Sequence, residues 1–198
     1  LLGTTDEQDN LKLQHDQQRW HLGTSEHHPS TEENQPTHAL KGMSHRLRRL
    51  DPRDHDAVAE IYRLAVVDST AERYSLQQQW AWAEQSKNLH PLLIRGRGWV
   101  ICNERDQPEA FCVRDPADRI SLLYCHPQRQ RLGLGRSVLA AATQEAAAEG
   151  QATLRTEASL ISRGLFEQMG WRVSWQEHLR IGGVLFRRYR MQIELESH

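Results

Sequence analysis

Tyr124-Cys125-His126-Pro127-Gln128-Arg129-Gln130-Arg131-Leu132-Gly133-Leu134-Gly135-Arg136 is the stretch around which the rest of the chain is arranged. An apolar strand, Ile120 to Cys125, runs into a basic, glycine-spaced loop, and that loop opens an alanine-rich helix predicted over Ser137 to Glu149. A helix start presents unpaired backbone N–H groups and the positive end of the helix dipole. Gly133 and Gly135 let the backbone come close to a ligand, and Arg129, Arg131 and Arg136 add positive charge. Together these features describe a cradle for a diphosphate. Two familiar cradles do not fit. A P-loop ends in Gly-Lys-Ser/Thr, whereas Gly135 is followed by Arg136-Ser137. A dinucleotide fingerprint has a third glycine where Val138 stands.

What remains, Gln130-x-x-Gly133-x-Gly135, resembles the Q/R-x-x-G-x-G/A loop of the GNAT superfamily of N-acetyltransferases, which holds the pyrophosphate of coenzyme A. The strand before it and the long helix after it match the context of that loop. The plain alternative is an ordinary strand–turn–helix connection.

Moving outward, 198 residues suit one domain with a tail. A hydrophobic content of 38% permits a core, and a net charge of -1 supplies no bulk field toward nucleic acid or an acidic membrane. No long apolar run stands near either end, so the expectation is a cytoplasmic chain without signal peptide or membrane span. Cys102, Cys112 and Cys125 each sit in strand-like sequence with no C-x-x-C pair, which predicts buried, reduced thiols and no metal framework. Leu1 to Gly42 is rich in Gln, His, Thr and acids and lacks any helical or strand period, so it is expected to be disordered. His15, His21, His27, His28 and His38 have no metal-ligand spacing. Met43 stands directly before the first structured segment, and the expected layout is a tail over 1–42, read as an over-extended reading frame, and a folded domain over 43–198.

Along that domain, His45 to Leu50 reads as a strand, and Asp51-Pro52-Arg53-Asp54 breaks it and offers a helix cap. Val58, Ile61, Tyr62, Ala65 and Val66 follow helical spacing, and Tyr74 to Ala83 is a second helix. Trp99 to Asn103 and Ala110 to Arg114 are strands joined by a turn at Asp106-Gln107-Pro108. The strand–helix–strand unit from Ile120 to Ser159 predicts a right-handed parallel crossover. A helix over Leu160 to Met169 follows. The last two strands, Trp171 to Ile181 and Val184 to Leu195, meet at Gly182-Gly183, a hairpin signal.

The order β-α-α-β-β-β-α-β-α-β-β is also that of the GNAT fold. Within that superfamily the chain is similar to the YafP-like branch, on Tyr74-Ser75-x-Gln77-Gln78-x-x-Ala81-Trp82-Ala83, Leu123-Tyr124-Cys125-His126-Pro127, Glu157-Ala158-Ser159 and Leu165-Phe166-Glu167-Gln168-Met169-Gly170-Trp171. Gly183 and Met191 match the glycine of that branch's last hairpin and its terminal Met-containing strand. The resemblance implies an α/β (α+β) fold. Its mixed central sheet has about seven strands, helices on both faces and a β-α-β core that binds coenzyme A. It also implies acetyl-CoA as co-substrate, no metal, a primary amine as acceptor and direct transfer without a covalent enzyme intermediate. The CoA-binding residues it points to are Leu123, Tyr124, Cys125, Gln130, Arg131, Leu132, Gly133, Leu134, Gly135, Arg136 and Ser159.

The chemistry requires stabilisation of the thioester oxygen, for which a free strand N–H among Leu123 to Cys125 is the candidate. It also requires removal of a proton from the amine, for which Glu157 is the candidate base. Glu157 otherwise reads as a surface carboxylate paired with Arg155 or Arg172. The superfamily commonly places a proton-donating Tyr where Phe166 stands here, so water, Ser159 or Tyr124 is left to protonate the thiolate. Tyr124 also reads as a packed strand aromatic. Tyr74, Gln78 and Trp82 are expected to border the acceptor, Trp80 pointing elsewhere. Cys125 and His126 are neighbours at a strand end and so diverge, which excludes a nucleophile–base pair. The expected function is N-acetylation of a small-molecule amine by a monomer or homodimer. The alternatives are a protein or peptide acceptor, or a coenzyme A-binding module without catalysis.

Overall fold

The computed structural model describes residues 44–195. The expectations for the tail and for Met43 fall outside the described residues. Along the chain the elements are β1 (Arg46–Arg49), α1 (His55–Ser69), α2 (Leu76–Ala83), α3 (His90–Arg95), β2 (Arg97–Cys102), β3 (Pro108–Arg114), β4 (Arg119–Cys125), α4 (Leu134–Ala148), β5 (Thr153–Ala158), α5 (Arg163–Gln168), β6 (Arg172–Ile181) and β7 (Val184–Glu194). The strands form one mixed sheet in the order β1-β2-β3-β4-β5-β7-β6. Every neighbouring pair is antiparallel except β4 and β5, which are parallel and joined through α4.

Local chemistry accounts for the boundaries. The Ser75 side chain accepts from the Gln78 N–H while the Gln78 side chain accepts from the Ser75 N–H, a reciprocal cap that starts α2. Asp51 and Asp54 do the same for a 3-10 turn ahead of α1. Helix α4 begins three residues earlier than the alanine run suggests, because Gly133 adopts a left-handed φ of 79° at its N-cap and so brings Leu134 to Arg136 into the first turn. Between Ala83 and Gly96, where the sequence has too short a run for a period to show, a 3-10 turn and α3 pack instead. Gly96 is required there, since a Cβ would meet Val113 Cγ1 at 2.4 Å.

The sheet separates two cores. On one face Val58, Ile61, Tyr62 and Val66 of α1 pack on Phe111, Val113 and Leu122. On the other, Val138, Leu139 and Ala142 of α4 pack on Cys112, Leu154 and Met191. Each buried Val, Leu, Ile, Phe or Met side chain among them contributes roughly 1.5–3 kcal/mol. Strand β3 is covered on both faces, which explains its unbroken apolar run from Ala110 to Val113. Helix α4 is also tied to the sheet by the fully buried Arg114, whose guanidinium reaches Glu145 and Glu149 at 3.1 and 3.0 Å.

One irregularity shapes the centre. Val113 pairs with Leu122 but Arg114 pairs with Ile120, so Ser121 is an extra residue in β4. Such a bulge bends its strand. The β4–β5 ladder stops at the same point, after Ile120↔Thr156, although both strands continue. The Thr156 hydroxyl donates to the Ile120 carbonyl at 2.9 Å and closes the ladder. Beyond it the two strands diverge.

Candidate active site

The gap between β4 and β5 opens into a cavity of about 630 Å³ that extends to the loop ahead of α4. Its polar walls are largely backbone. The His126 N–H donates to the Glu109 carbonyl at 2.8 Å, which fixes the alternation along β4. His126, Tyr124 and Leu122 therefore bond to β3, and the N–H groups of Leu123 and Cys125 point toward the gap. In the loop, Arg131 has φ 65° and Gly133 φ 79°. Among the described residues, the N–H groups of Arg131 through Arg136 make no hydrogen bond. Six free donors at the positive end of a 15-residue helix suit a diphosphate. The glycines keep that surface open: a Cβ on Gly133 would meet nothing within 4 Å, and one on Gly135 only Leu165 Cδ2 at 3.5 Å.

The loop is braced by its own polar side chains. Gln130 does not reach into the cradle with its amide, which donates to Ser69 Oγ and pins the loop to the end of α1. Arg129 Nε lies 3.0 Å from the buried Glu109, which also binds His45. Arg136 donates to Gln168 of α5 at 3.1 Å. Leu132 is partly exposed, and Leu134 turns into the core. Arg131 makes no ion pair among the described residues and lines the cavity, as do Gly133 and Gly135.

Around the reacting end the outcomes differ residue by residue. Glu157 lines the cavity but is not a free carboxylate. Arg119 donates twice to its Oε2, at 2.9 and 2.6 Å, and Arg190 binds its Oε1. The expected partners Arg155 and Arg172 are replaced: Arg155 pairs with Asp118. Register explains the change, since Glu157 faces Arg190 across the β5–β7 ladder. Ser159 Oγ accepts the N–H groups of Ile161 and Ser162 and lies 3.1 Å from Ser162 Oγ, so it caps the turn before α5. That turn delays α5 to Arg163.

Tyr124 stacks on Phe111 and lies 4.5 Å from the Tyr62 ring. Burial pushes its phenol well above the ordinary tyrosine value. Tyr124 lines the cavity, but its contacts with Phe111 and Tyr62 fit the packed-aromatic reading better than the acid one. The Cys125 thiol is pushed up to about 11, by burial first and the Glu109 charge second. It donates to the Arg129 carbonyl at 3.3 Å and acts as a brace for the loop.

Phe166 is 2% exposed and lies edge-on to Trp171 with ring centroids 5.0 Å apart, yet it also lines the cavity. Trp82 lines the cavity and packs against Tyr74 and Phe186, while Trp80 is 69% exposed. Tyr74 and Gln78 are not among the cavity-lining residues. The Tyr74 oxygen accepts the Leu160 N–H at 3.0 Å, and Gln78 Nε2 donates to the Leu185 carbonyl at 2.8 Å. Both support the cleft from behind. Sequence reading missed Ser69, Arg119 and Arg190, which lie 61, 38 and 33 residues from the groups they bind. Nothing local marks them.

A splayed parallel strand pair feeding a glycine-spaced helix start is the arrangement of an acyl-coenzyme A-dependent acetyltransferase. A family model described as an acetyltransferase (GNAT) domain matches residues 97–193, and the fold is that of GNAT acetyltransferases. It is 26% identical over 148 residues to the uncharacterized N-acetyltransferase YafP of Escherichia coli (strain K12), covering 74% of this chain and 93% of that one. It is similar to a GCN5-related N-acetyltransferase from Rhodopseudomonas palustris, with a TM-score of 0.72 and 25% identity over 79% of this chain and 100% of that chain. A putative acetyltransferase, yncA, from Salmonella typhimurium, solved with its cofactor acetyl-CoA, superposes with a TM-score of 0.55 at 23% identity over 78% of this chain and 96% of that chain. Among the described residues no helix is long and apolar enough to cross a membrane.

Proposed function

We propose that this acetyltransferase moves the acetyl group of acetyl-CoA to a primary amine of a small molecule by direct attack. The observation that carries the reading is the continuity of one backbone surface. Two β4 residues and five loop residues whose N–H groups are unpaired among the described residues, Leu123, Cys125, Arg131 and Gly133 to Arg136, line a single cavity. The loop donors hold the diphosphate. The Leu123 and Cys125 backbone pairs with the pantetheine arm as an added strand would, leaving one N–H to receive the negative charge that grows on the thioester oxygen.

The amine nitrogen forms a bond to the carbonyl carbon, the C–S bond breaks, and coenzyme A leaves as thiolate. The amine loses one proton and the thiolate gains one. Glu157 is the acceptor proposed for the first, through a water at Oε1, which keeps one lone pair beside its Arg190 contact. Water supplies the second, because Tyr124 is packed between Phe111 and Tyr62, Ser159 is engaged in its cap and Phe166 has no proton to give. Thiolate is a fair leaving group at neutral pH, so a dedicated acid is not essential. Phe166 and Trp82 form apolar walls, and Tyr74 and Gln78 fix Trp82 and the β6–β7 hairpin.

The test is coenzyme A thiol release with a panel of amines, with the product identified by mass. Release with small amines, and a mass gain of one acetyl group on them, is the expected result. Release only with peptides would move the acceptor to proteins, and tight acetyl-CoA binding without any release would leave a binding module.

A further inference from the structure

A second hollow, about 480 Å³, lies behind the turn that Ser159 caps. The turn is a partition. Ser159, Ile161 and Ser162 face the acetyl-transfer cavity, Leu160 and Arg163 face the hollow, and Gly164 borders both. Three guanidinium groups converge on it from separate elements: Arg73 from the α1–α2 junction, Arg163 from α5 and Arg187 from β7. Arg163 is committed, with Glu167 at 2.7 Å and the Tyr189 ring at 4.4 Å. Arg73 and Arg187 make no ion pair among the described residues. Against them stands one carboxylate without an ion-pair partner among the described residues, Glu72. The hollow therefore carries surplus positive charge in a protein whose net charge is -1.

The surplus charge lies across the partition from the acetyl-transfer cavity, with Gly164 bordering both. Arg73 is the neighbour of Tyr74, whose oxygen accepts the Leu160 N–H on the partition itself. Arg187 is close enough for its charge to act on the Tyr74 phenol, though burial dominates there and raises it. Guanidinium groups bind anionic oxygens in forked, charge-assisted pairs, and like charge repels polycations from the same spot.

We infer that the acceptor is an amine that also carries an anionic oxygen group, a carboxylate or phosphate, which Arg73 and Arg187 hold while the amine reaches past the Ser159–Gly164 turn. The inference rests on the acetyl-transfer reading for its catalytic arm only. Matched amines that differ by the anionic group, phenylethylamine with phenylalanine and ethanolamine with phosphoethanolamine, are compared by coenzyme A release. The anionic member of at least one pair should be preferred by about tenfold or more, the size of one charge-assisted hydrogen bond. The two pairs distinguish carboxylate from phosphate. Arg73→Gln and Arg187→Gln should each raise the acceptor KM for the anionic member by about tenfold, with the neutral amine and the acetyl-CoA KM unchanged. Glu72→Gln should shift the anionic KM the other way.

The second arm does not need turnover. 3-Phenylpropionate and phenyl phosphate, which lack the amine, are titrated calorimetrically into the coenzyme A-saturated protein and the Arg73→Gln/Arg187→Gln double variant. Binding to the first and not to the second is expected. Equal use of both members of each pair, or loss shared equally by neutral and anionic amines in the variants, would overturn the inference. So would absence of anion binding, or anion binding indifferent to the arginines. Anion binding that depends on the arginines, with no thiol release from any amine, would keep the hollow and sink the transferase reading alone.

Discussion

The two ends of the central cavity are built on different principles. At the end proposed for coenzyme A the free groups are main-chain N–H donors supplied by one continuous stretch, Leu123 to Arg136, with glycines keeping them uncovered. At the other end the walls are side chains from α1, α2, β4, β5 and α5, held by long-range ties such as Arg119–Glu157 and Gln78–Leu185. A backbone cradle recognises a diphosphate whatever side chains surround it. A side-chain wall recognises the particular molecule and changes with every residue in it. The comparison separates a shared chemistry from a private specificity inside one cavity.

The strongest challenge to that division is Gly135→Glu. The protein itself tolerates a Cβ there, in ordinary contact with Leu165 only, so the variant should fold with a near-native melt. Its carboxylate would occupy the diphosphate site, and acetyl-CoA affinity should fall by about a hundredfold or more, roughly 3 kcal/mol. Wild-type affinity by calorimetry would show that the phosphates sit elsewhere.

Phe166 belongs to both regions, as core against Trp171 and as cavity wall. Phe166→Ala should cost on the order of 3–5 kcal/mol of stability. Phe166→Tyr should keep or raise turnover with little change in coenzyme A affinity, because the new hydroxyl can face the cavity beside the departing sulfur. Should the tyrosine variant lose stability and activity as badly as the alanine one, the ring is core alone.

Glu157→Gln probes the acceptor end. It would leave Arg119 and Arg190 facing a neutral amide, and because both arginines are about one-third exposed the stability loss should be about 1–2 kcal/mol. That corresponds to a melting decrease of several degrees. As proton acceptor its loss should also lower kcat by about a hundredfold, with acetyl-CoA affinity unchanged. A lower melting temperature with kcat intact would make Glu157 a structural tie only.

The smallest effect is expected at Gln78→Ala, which removes a cap and the bond to Leu185. About 1 kcal/mol is expected, with a modest rise in acceptor KM and none in that for acetyl-CoA. A rise in both would couple the two ends more closely than their construction suggests.

Legibility follows the same line. Strand periodicity, the cap at Asp51 to Asp54 and the Gly182-Gly183 turn all act within a few residues, so most of the element order could be read directly. Helix α3 was not, because six residues ahead of a close-packed Gly96 show no period. Glu157 was singled out as a carboxylate, and it lines the cavity. Its engagement by Arg119 and Arg190 was not legible, since that depends on which strand lies beside β5, and β7 lies there ahead of β6. Tyr124 was readable as either acid or packing, and only its contacts with Tyr62 and Phe111 favour packing.

By itself the sequence determined the glycine-spaced loop, the helix that follows it and hence the row of backbone donors proposed to hold coenzyme A, because backbone donors at a helix start need only local geometry to exist. Tertiary structure decided where β4 leaves β5, which carboxylate oxygens remain open and which arginines face the second hollow. Those depend on a bulge, a strand order and a capped turn that bring together residues far apart in the chain, and pairings of that kind leave no trace in any local pattern.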